Sequence, residues 1–254
     1  MKKKDSRVQV LFEDNDIVIV SKPVGVYSIP DRYDKTAFNL SGYLQKKYNK
    51  IFVVHRLDKD TSGVMCFAKN AGAHRELNQQ FLEQKVNKIY HIVVAGVLRE
   101  DELDIDIPIS DNPAKKGLAI PSARGKSSLT KLKVIERFRM ATFCECDLVS
   151  GRHHQIRVHC SAIGFPLLVD EHYGNNTEFF LSSIKRRYKL KKKTEEKPII
   201  DRITMHAYEL GFTHPSTKEY ISFKCDYPRD FTALLQVLRK YSALPDYSVY
   251  KVTE

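Results

Sequence analysis

The sequence lacks the three features that would place the protein in a membrane or outside the cell. No apolar run approaches the roughly 18 uncharged residues of a membrane-spanning helix. The start, MKKKDSRVQVLFED, has lysines but no apolar core of a signal peptide behind them. The five cysteines are odd in number and show no regular framework, unlike a secreted disulfide scaffold. We therefore expect a cytoplasmic protein with reduced thiols and no membrane partner.

Glycine and proline are not enriched, with 11 and 10 residues among 254, and this excludes a low-complexity chain. The hydrophobic content of 42% is enough for a proper buried core. Acidic residues are outnumbered by basic ones, 31 to 42, which gives a formal net charge of +11. A basic surface attracts polyanions, and nucleic acid is the commonest of them. Charge alone favours a nucleic-acid partner only weakly, because many basic proteins have none.

The hydrophobic pattern predicts an α+β fold. Two Val- and Ile-rich runs, 8–12 and 17–22, flank the turn EDND and predict a hairpin. Further strands are predicted at 51–54, 64–69, 88–97, 128–138, 142–150, 202–212 and 219–225, and helices at 37–49, 72–85, 154–164 and 229–241. The polar stretch 98–127, with three prolines, is predicted to be irregular. Since neighbouring strands joined by short turns pair antiparallel, we expect a large mixed, mainly antiparallel sheet flanked by helices.

The segment HRLDKDTSG, residues 55–63, carries more charge than a turn between two strands needs. A carboxylate at a strand end, such as Asp58 or Asp60, can act as a nucleophile or a general base. Arg56 would keep Asp58 ionised through the attraction of opposite charges. On position alone, however, a hydrated loop acid is the commoner explanation.

A second polar cluster, SGRHHQIRVH at 150–159, is predicted to lie on a helix. Its Arg157 is opposite an apolar side formed by Ile156, Cys160 and Ile163, so the guanidinium could be held firmly and aimed at an anion. The alternative is a surface helix with a basic face.

The same region offers a weaker zinc hypothesis. Cys144 and Cys146 form a C-x-C pair on a predicted strand, and His153 or His159 could complete a site. The usual spacing of two residues between the cysteines is missing, and small cysteines also suit the core of a sheet.

Two further features are typical of RNA-binding proteins. Tyr90, in KIYHIV, is either a half-buried strand aromatic or a platform on which a base stacks. The run from Lys185 to Lys193 has seven basic residues in nine, and it is either a solvated charge cluster or a phosphate contact. We expect that neutralising Lys191, Lys192 and Lys193 weakens RNA binding and flattens its salt dependence.

Together these motifs resemble those of one family. HRLDKDTSGVMCFAKN is similar to the signature H-R-L-D-x-x-T-S-G of the RluA-type pseudouridine synthases. Four more segments resemble the family's other motifs in the right order: LFEDNDIVIVSKPVGV (11–26), NKIYHIVVAG (87–96), GRHHQIRVHCSAIGFPLLVDEHYG (151–174) and MHAYELGFTHPSTKEYISF (205–223). The resemblance extends from about residue 8 to residue 241, and the combined signal is highly specific.

The resemblance implies a fold and an activity. It implies one pseudouridine-synthase-like catalytic domain over 1–254 with a central RNA-binding cleft, a core at about 8–241 and a basic insertion at about 177–200. Because the first family motif begins by residue 11, we expect no separate N-terminal RNA-binding domain. The implied enzyme is a monomeric isomerase, an intramolecular transferase that converts uridines of structured RNA (23S ribosomal RNA, transfer RNA or both) to pseudouridine. It would need no cofactor and no metal.

The resemblance also assigns roles to residues. Asp58 matches the catalytic aspartate, Arg56 the arginine that enters the RNA, Tyr90 the tyrosine that stacks on uracil, and Arg157 the arginine that pairs with the catalytic carboxylate. We assign four more residues of the same motifs to substrate binding: His55, Thr61, Arg152 and Gln155.

The chain departs from the family pattern away from the four principal positions. His153 stands where the family usually has threonine, Val169 where it has glycine, and Met205 where it has leucine. The main rival hypothesis is a non-catalytic RNA-binding or ribosome-assembly factor of the same fold, although binding alone would not need Asp58.

Overall fold

The computed structural model describes residues 8–31, 34–189 and 194–244. Within these ranges the strands are β1 Gln9–Glu13, β2 Ile17–Lys22, β3 Phe52–Val53, β4 Ser62–Ala68, β5 Asn87–Ala95, β6 Glu102–Asp106, β7 Ile109–Asp111, β8 Ala119–Pro121, β9 Leu129–Arg137, β10 Ala141–Leu148, β11 Met205–Thr213 and β12 Tyr220–Lys224. The helices are α1 Leu40–Tyr48, α2 Ala71–Leu82, α3 Gln155–Ala162 and α4 Arg229–Ser242, with a 3₁₀ turn at Leu181–Ser183. No helix in this described part is long and apolar enough to cross a membrane.

Two of the helices begin at asparagine caps. The side chain of Asn39 accepts a hydrogen bond from the Gly42 amide at the start of α1, and that of Asn70 accepts one from the Ala73 amide at the start of α2. Each cap satisfies a helical N–H group that has no partner within the helix.

The chain forms two compact units, each built from separate segments. The first contains the residues up to His91, Asp147–Ser150 and Met205–Pro228; the second contains Ile92–Cys146, Gly151–Thr204 and the chain from Arg229 onward. Strand β5 belongs to the first unit up to His91 and to the second from Ile92.

In the first unit the strands are hydrogen-bonded in the order β1-β2-β4-β11-β5, with β3 also on β4 and β12 also on β11. Strands β4 and β11 are parallel, whereas β1–β2, β2–β4 and β11–β12 are antiparallel. One face of this sheet packs on α2 through Ala73 and Leu77, and the other packs on α1 through Leu40 and Leu44. Burial of both faces explains why β2 and β4 read as continuous apolar runs.

In the second unit the order is β5-β10-β9-β6, with β6 and β9 antiparallel. Helix α4 buries Phe231, Leu234, Leu235 and Leu238, and the Phe231 ring meets Phe143 of β10 edge-on at 6.3 Å. Strands β7 and β8 form a separate antiparallel hairpin beside α3.

The predicted α+β class with a mixed, mainly antiparallel sheet is confirmed. The prediction that 98–127 is irregular was wrong, since β6, β7 and β8 lie there. These strands are three to five residues long and bury few side chains, among them Ile105, Ile109 and Ala119. Such short, polar strands have no strong hydrophobic period. The single catalytic domain with a central cleft stays a prediction.

The basic segment is closed at its base by an antiparallel bridge. The Phe179 amide donates to the Ile200 carbonyl at 2.9 Å, and the Ile199 amide donates to the Phe179 carbonyl at 2.8 Å. Arg186, Arg187 and Lys189 are exposed between these ends. Lys191, Lys192 and Lys193 lie outside the described residues, so their proposed RNA contact stays a prediction.

All five cysteines are free thiols and buried. Cys66 and Cys225 belong to the first unit, and Cys144, Cys146 and Cys160 to the second. The reduced state expected from the irregular cysteine spacing stays a prediction.

Candidate active site

The HRLD loop connects β3 to β4 in the first unit. Its backbone turns after Asp58, because the Thr61 amide donates to the Asp58 carbonyl at 3.1 Å. The Asp58 side chain is half-buried, whereas Arg56 and Asp60 are exposed. The loop therefore presents charged groups from a backbone that the surrounding fold holds in place.

A buried lysine holds the part of the loop that follows Asp58 in sequence. Lys22, at the end of β2, is 0% exposed. Its ammonium donates to the carbonyls of Pro23 at 3.2 Å, Lys59 at 3.0 Å and Thr61 at 2.7 Å. A buried charge is costly unless its hydrogen bonds are satisfied, and three carbonyls match the three donors of an ammonium. The cation thus fixes two carbonyls of the loop.

A serine holds the part of the loop that precedes Asp58 in sequence. The Ser28 hydroxyl donates to the Leu57 carbonyl at 2.6 Å, and the Leu57 amide donates to that hydroxyl at 3.1 Å. The Leu57 side chain is itself buried in an apolar cluster with Met65. Asp58 is therefore flanked by fixed backbone on both sides.

Gly63 ends the loop where the parallel strands meet. It pairs with Ala207 of β11 and has a φ of +131°. A β-carbon there would lie 2.1 Å from the Ala207 carbonyl oxygen, so only glycine fits. Beside it, Ser62 Oγ lies 2.9 Å from His206 Nδ1.

His55 and Tyr90 are brought together in the first unit, where they line one narrow pocket with Lys88 and Glu209. Its volume of about 10 Å³ leaves room for about one water molecule at most. The Tyr90 ring also packs against the apolar cluster that contains Leu57.

His55 is neutral at physiological pH. Its Nε2 accepts a hydrogen bond from the Cys66 amide at 3.0 Å, and its ring stacks on Phe81 with centroids 5.0 Å apart. Burial, with a smaller repulsion from Lys88, lowers the pKa of His55 to about 3. The accepted hydrogen bond places the proton of the neutral ring on Nδ1.

Thr61 is buried, at 1% exposure, and its carbonyl is held by Lys22. Within the described residues its hydroxyl oxygen has no hydrogen-bond partner. The predicted contacts of Thr61 and His55 with substrate stay predictions.

In the second unit, Arg157 is held by a buried carboxylate. Its Nε and Nη2 donate to the two oxygens of Asp170, each at 2.7 Å, and its guanidinium lies 4.8 Å above the Tyr173 ring. Arg157 is 6% exposed and Asp170 is 0% exposed. Helix α3 is therefore not the surface helix of the alternative interpretation, and the guanidinium has a fixed orientation.

The pKa of Asp170 is set by opposing effects. Burial alone raises it, but the hydrogen bonds and charge of Arg157 outweigh burial, together with the amides of His172 and Tyr173. The pKa of Asp170 therefore lies below its ordinary value, and the carboxylate is ionised at neutral pH.

His154 links Arg157 to Tyr173. It precedes α3 in the left-handed conformation, with φ 55°. Its Nε2 accepts from Arg157 Nη1 at 3.2 Å, and its Nδ1 lies 2.9 Å from the Tyr173 hydroxyl. Burial and then Arg157 lower the pKa of His154 to about 3. Because Arg157 can only donate, the neutral ring carries its proton on Nδ1 and donates it to Tyr173.

Gln155 and Arg152 are also positioned by the second unit. The side chain of Gln155 is buried, and its Nε2 donates to the Leu129 carbonyl at 3.0 Å and to Thr130 Oγ1 at 2.9 Å. Arg152 is half-buried, and its Nε donates to the Ser127 carbonyl at 3.2 Å. These contacts tie the start of α3 to β9 and to Ser127 just before it, and substrate binding by both residues stays a prediction.

With this geometry in place, comparison with known proteins decides the family. The family model described as RNA pseudouridylate synthase matches residues 16–162, more than half of the chain. The chain belongs to the RNA pseudouridylate synthase family.

Curated relatives are similar in sequence to this pseudouridine synthase along most of its length. The dual-specificity RNA pseudouridine synthase RluA of Vibrio vulnificus is 34% identical over 252 residues, covering 96% of this chain and 94% of that protein. The RNA pseudouridine synthase YlyB of Bacillus subtilis is 34% identical over 241 residues, covering 92% and 73%. The ribosomal large subunit pseudouridine synthase D of Neisseria meningitidis is also 34% identical, and the chain covers 63% of its length.

Solved structures share the fold of the synthase. The human RNA pseudouridylate synthase domain containing 1 has a TM-score of 0.68 at 24% identity, covering 97% of this chain and all of that one. The human RNA pseudouridylate synthase domain containing 4 has a TM-score of 0.69 at 22% identity. The family match and the curated relatives confirm the expected RNA-modifying isomerase at the level of the family.

The zinc hypothesis finds no support in the synthase's cysteines. Cys144 and Cys146 are both 0% exposed, and burial raises the pKa of the Cys144 thiol to about 12. Thiolate, the form that binds zinc, is therefore disfavoured. Among the described residues, neither cysteine belongs to a cluster of three potential metal ligands.

Sequence reasoning missed the residues that hold the site of the synthase: Lys22, Ser28, Asp170 and Tyr173. One signal was available for Lys22, since a lysine ends the apolar strand IVIV directly before Pro23. Asp170 and Tyr173 stood in a quoted family motif, but nothing in their spacing named Arg157 as their partner.

Proposed function

We propose that this pseudouridine synthase isomerises specific uridines in structured ribosomal or transfer RNA, with Asp58 as the catalytic carboxylate. The support is the loop geometry: Lys22 and Ser28 fix the backbone on either side of Asp58 in an HRLD loop of the first unit. A reacting group held this way needs no reorganisation when substrate binds. The RNA class is proposed because one relative is named for the large ribosomal subunit and another for dual specificity.

The proposed reaction conserves every atom of the uridine. The bond between ribose and uracil nitrogen breaks, the uracil turns while bound, and its carbon 5 bonds to the ribose. The proton on carbon 5 leaves and a proton returns to the ring nitrogen, so nothing is oxidised or hydrolysed. This balance requires no redox cofactor and no added reactant, and a carboxylate can serve as its nucleophile or base.

The target uridine must leave the RNA stack before its glycosidic bond can react, which costs a few kcal/mol. We propose that Arg56 enters the RNA at the position that the displaced base has left, because its side chain is exposed on the loop. We assign Tyr90 to stacking on the uracil, because its ring is half-buried beside Leu57. These contacts would offset part of the cost of unstacking.

We assign Arg157 to pairing with the catalytic carboxylate, because the family motif implies this role. The bidentate bond to Asp170 keeps the guanidinium planar and oriented. An arginine in such a site holds a nearby carboxylate ionised across physiological pH.

The test compares two isosteric substitutions in one loop. Asp58→Asn and Asp60→Asn remove the same charge two residues apart, and Asp60 is exposed. We expect Asp58→Asn to abolish conversion while RNA binding stays within about twofold, because the reaction alone needs the carboxylate. Asp60→Asn should retain most of the activity. RNA from cells without the gene, complemented by each variant, would be treated with a carbodiimide that marks pseudouridine and read by reverse-transcription stops.

A pseudouridine restored by wild type and by Asp60→Asn, but not by Asp58→Asn, supports both the chemistry and the residue. Substantial turnover by Asp58→Asn would contradict the assignment of Asp58. Tight RNA binding by the purified wild type without conversion of any unmodified ribosomal or transfer RNA would instead favour the RNA-binding factor.

A further inference from the structure

A second cavity lies within the second unit, between the β7–β8 hairpin and α3. Its volume is about 240 Å³, below the range of about 300–1,000 Å³ typical of drug-sized ligands. The hairpin contributes Leu118, Ile120 and Pro121 to its wall, and α3 contributes Val158 and Ala162. The cavity therefore has apolar walls and room for one small ring system.

Polar groups stand around these apolar walls. Asn112, Lys115, Ser161 and His172 also line the cavity, and Lys115 and His172 are exposed. Among the described residues that line it, Lys115 is the one with a permanent charge, and that charge is positive. Apolar walls with an exposed cation at the edge suit a flat base that carries a phosphate.

Tyr173 also lines the cavity and connects it to Arg157. Its hydroxyl accepts the Ala119 amide of β8 at 2.8 Å and lies 2.9 Å from His154 Nδ1. Its ring lies under the Arg157 guanidinium. Tyr173 thus joins the hairpin and Arg157 by direct contacts.

We propose that this cavity binds an unpaired nucleotide of the substrate RNA other than the reacting uridine. The base lies against Leu118, Pro121 and Ala162, and its phosphate meets Lys115. This inference rests on the proposed function, since it assumes that an RNA is the substrate. RNA-binding proteins commonly select structured RNA through unpaired bases held on apolar or aromatic surfaces. The site would thereby contribute to the choice of RNA, and not to the chemistry.

The first test uses two neighbouring lysines and one substitution that fills the cavity. Lys115→Ala removes the cation at the cavity, and Lys116→Ala removes the same charge from an exposed neighbour that does not line it. Ala162→Phe fills the cavity from an exposed position at the end of α3. We expect Lys115→Ala and Ala162→Phe to raise KM about tenfold with unchanged kcat, because the contact is made equally before and during reaction. Lys116→Ala should change KM less than twofold.

The second test does not depend on catalysis. The four nucleoside 5′-monophosphates would be titrated into histidine-labelled protein, with ribose 5-phosphate and inorganic phosphate as controls. We expect the nucleotides to shift the His172 ring signals, identified by their absence in His172→Gln. The controls should shift them much less, and Ala162→Phe should abolish the response.

The outcomes separate this proposal from the proposed function. If wild type converts RNA while Lys115→Ala and Ala162→Phe match Lys116→Ala, the nucleotide site is overturned and the activity stands. If inorganic phosphate and ribose 5-phosphate match the nucleotides, base recognition is overturned. If wild type converts no RNA, the proposed function fails, and the response of His172 alone supports or overturns a nucleotide site. Thermal melts of the variants show whether each is folded.

Discussion

The two units hold their functional groups in opposite ways. In the first unit, Lys22 and Ser28 bind main-chain atoms on each side of Asp58, and the neighbouring Arg56 side chain is exposed. In the second unit, the Arg157 side chain is itself enclosed by Asp170 and Tyr173. The groups that we propose to meet RNA are thus positioned through their backbone, whereas the arginine that we assign to the catalytic carboxylate is positioned through its side chain.

The strongest test of this contrast removes the carboxylate that holds Arg157. Asp170→Asn leaves a buried guanidinium without its counter-charge, which typically costs about 3–5 kcal/mol. We expect a loss of that size in the free energy of unfolding, measured with urea. We also expect conversion by the remaining folded enzyme to fall at least tenfold, because the guanidinium loses its orientation.

A matched control is Arg202, another arginine of the second unit that is held by a carboxylate. Arg202 donates to both oxygens of Asp230, at 2.6 and 2.9 Å, and the Asp230 side chain is 26% exposed. Asp230→Asn should cost less stability and leave the kcat of folded enzyme unchanged. Equal loss of kcat in both variants would mean that Asp170 is merely structural.

A smaller effect is expected when the first unit loses its backbone anchor. Lys22→Met keeps the length of the side chain but leaves the carbonyls of Pro23, Lys59 and Thr61 without their shared donor, at a cost of roughly 1–3 kcal/mol. We expect kcat to fall more than RNA affinity, because the position of Asp58 depends on this loop. Single-turnover conversion and RNA binding would be measured together.

Lys69 offers the control for that substitution. It follows the end of β4 that is away from the HRLD loop, and it donates to the backbone carbonyl of Asp14, which does not belong to that loop. Lys69→Met should therefore leave kcat unchanged. A kcat for Lys22→Met equal to that of Lys69→Met would break the argument that backbone anchoring positions Asp58.

The smallest effect at neutral pH is expected at His55. The pKa of about 3 in the folded protein lies below the ordinary value near 6.5. Unfolded chains therefore bind a proton first, and the stabilising contribution of neutral His55 is complete above pH 6.5 and lost as pH falls towards 3. His55→Gln keeps an acceptor for the Cys66 amide and does not titrate.

We therefore expect the variant to lose stability less steeply than wild type between pH 6.5 and 4, as measured by urea unfolding at a series of pH values. Some slope should remain, because burial also lowers the pKa of His91 to about 4 and that of His154 to about 3. Identical slopes for variant and wild type would show that His55 is not held neutral by the fold.

Much of this architecture could be predicted from hydrophobic period. The runs IVIV in β2 and VMCFA in β4 predicted strands, and the spacing of Phe231, Leu234, Leu235 and Leu238 predicted α4. The family motifs named Asp58, Tyr90 and Arg157 as site residues, and those roles stay predictions.

What the sequence could not supply depends on contacts between distant segments. Lys22 reaches carbonyls 37 and 39 residues away, and a lysine at a strand end ordinarily suggests an exposed side chain. The parallel pairing at Gly63 depends on β11, far along the chain. The pairing of Arg157 with Asp170 depends on a loop whose course no local pattern predicts.

Because every cysteine is buried, the rate at which each thiol reacts with a reagent reports how often the structure around it opens. A thiol reagent in native buffer can modify a buried sulfur only when the surrounding structure opens. Because Cys66 and Cys225 belong to the first unit and Cys144, Cys146 and Cys160 to the second, mass spectrometry of the labelled peptides would time the opening of each unit separately. Comparing those times with and without RNA would show in which unit the substrate slows opening, and the experiment needs no substitution.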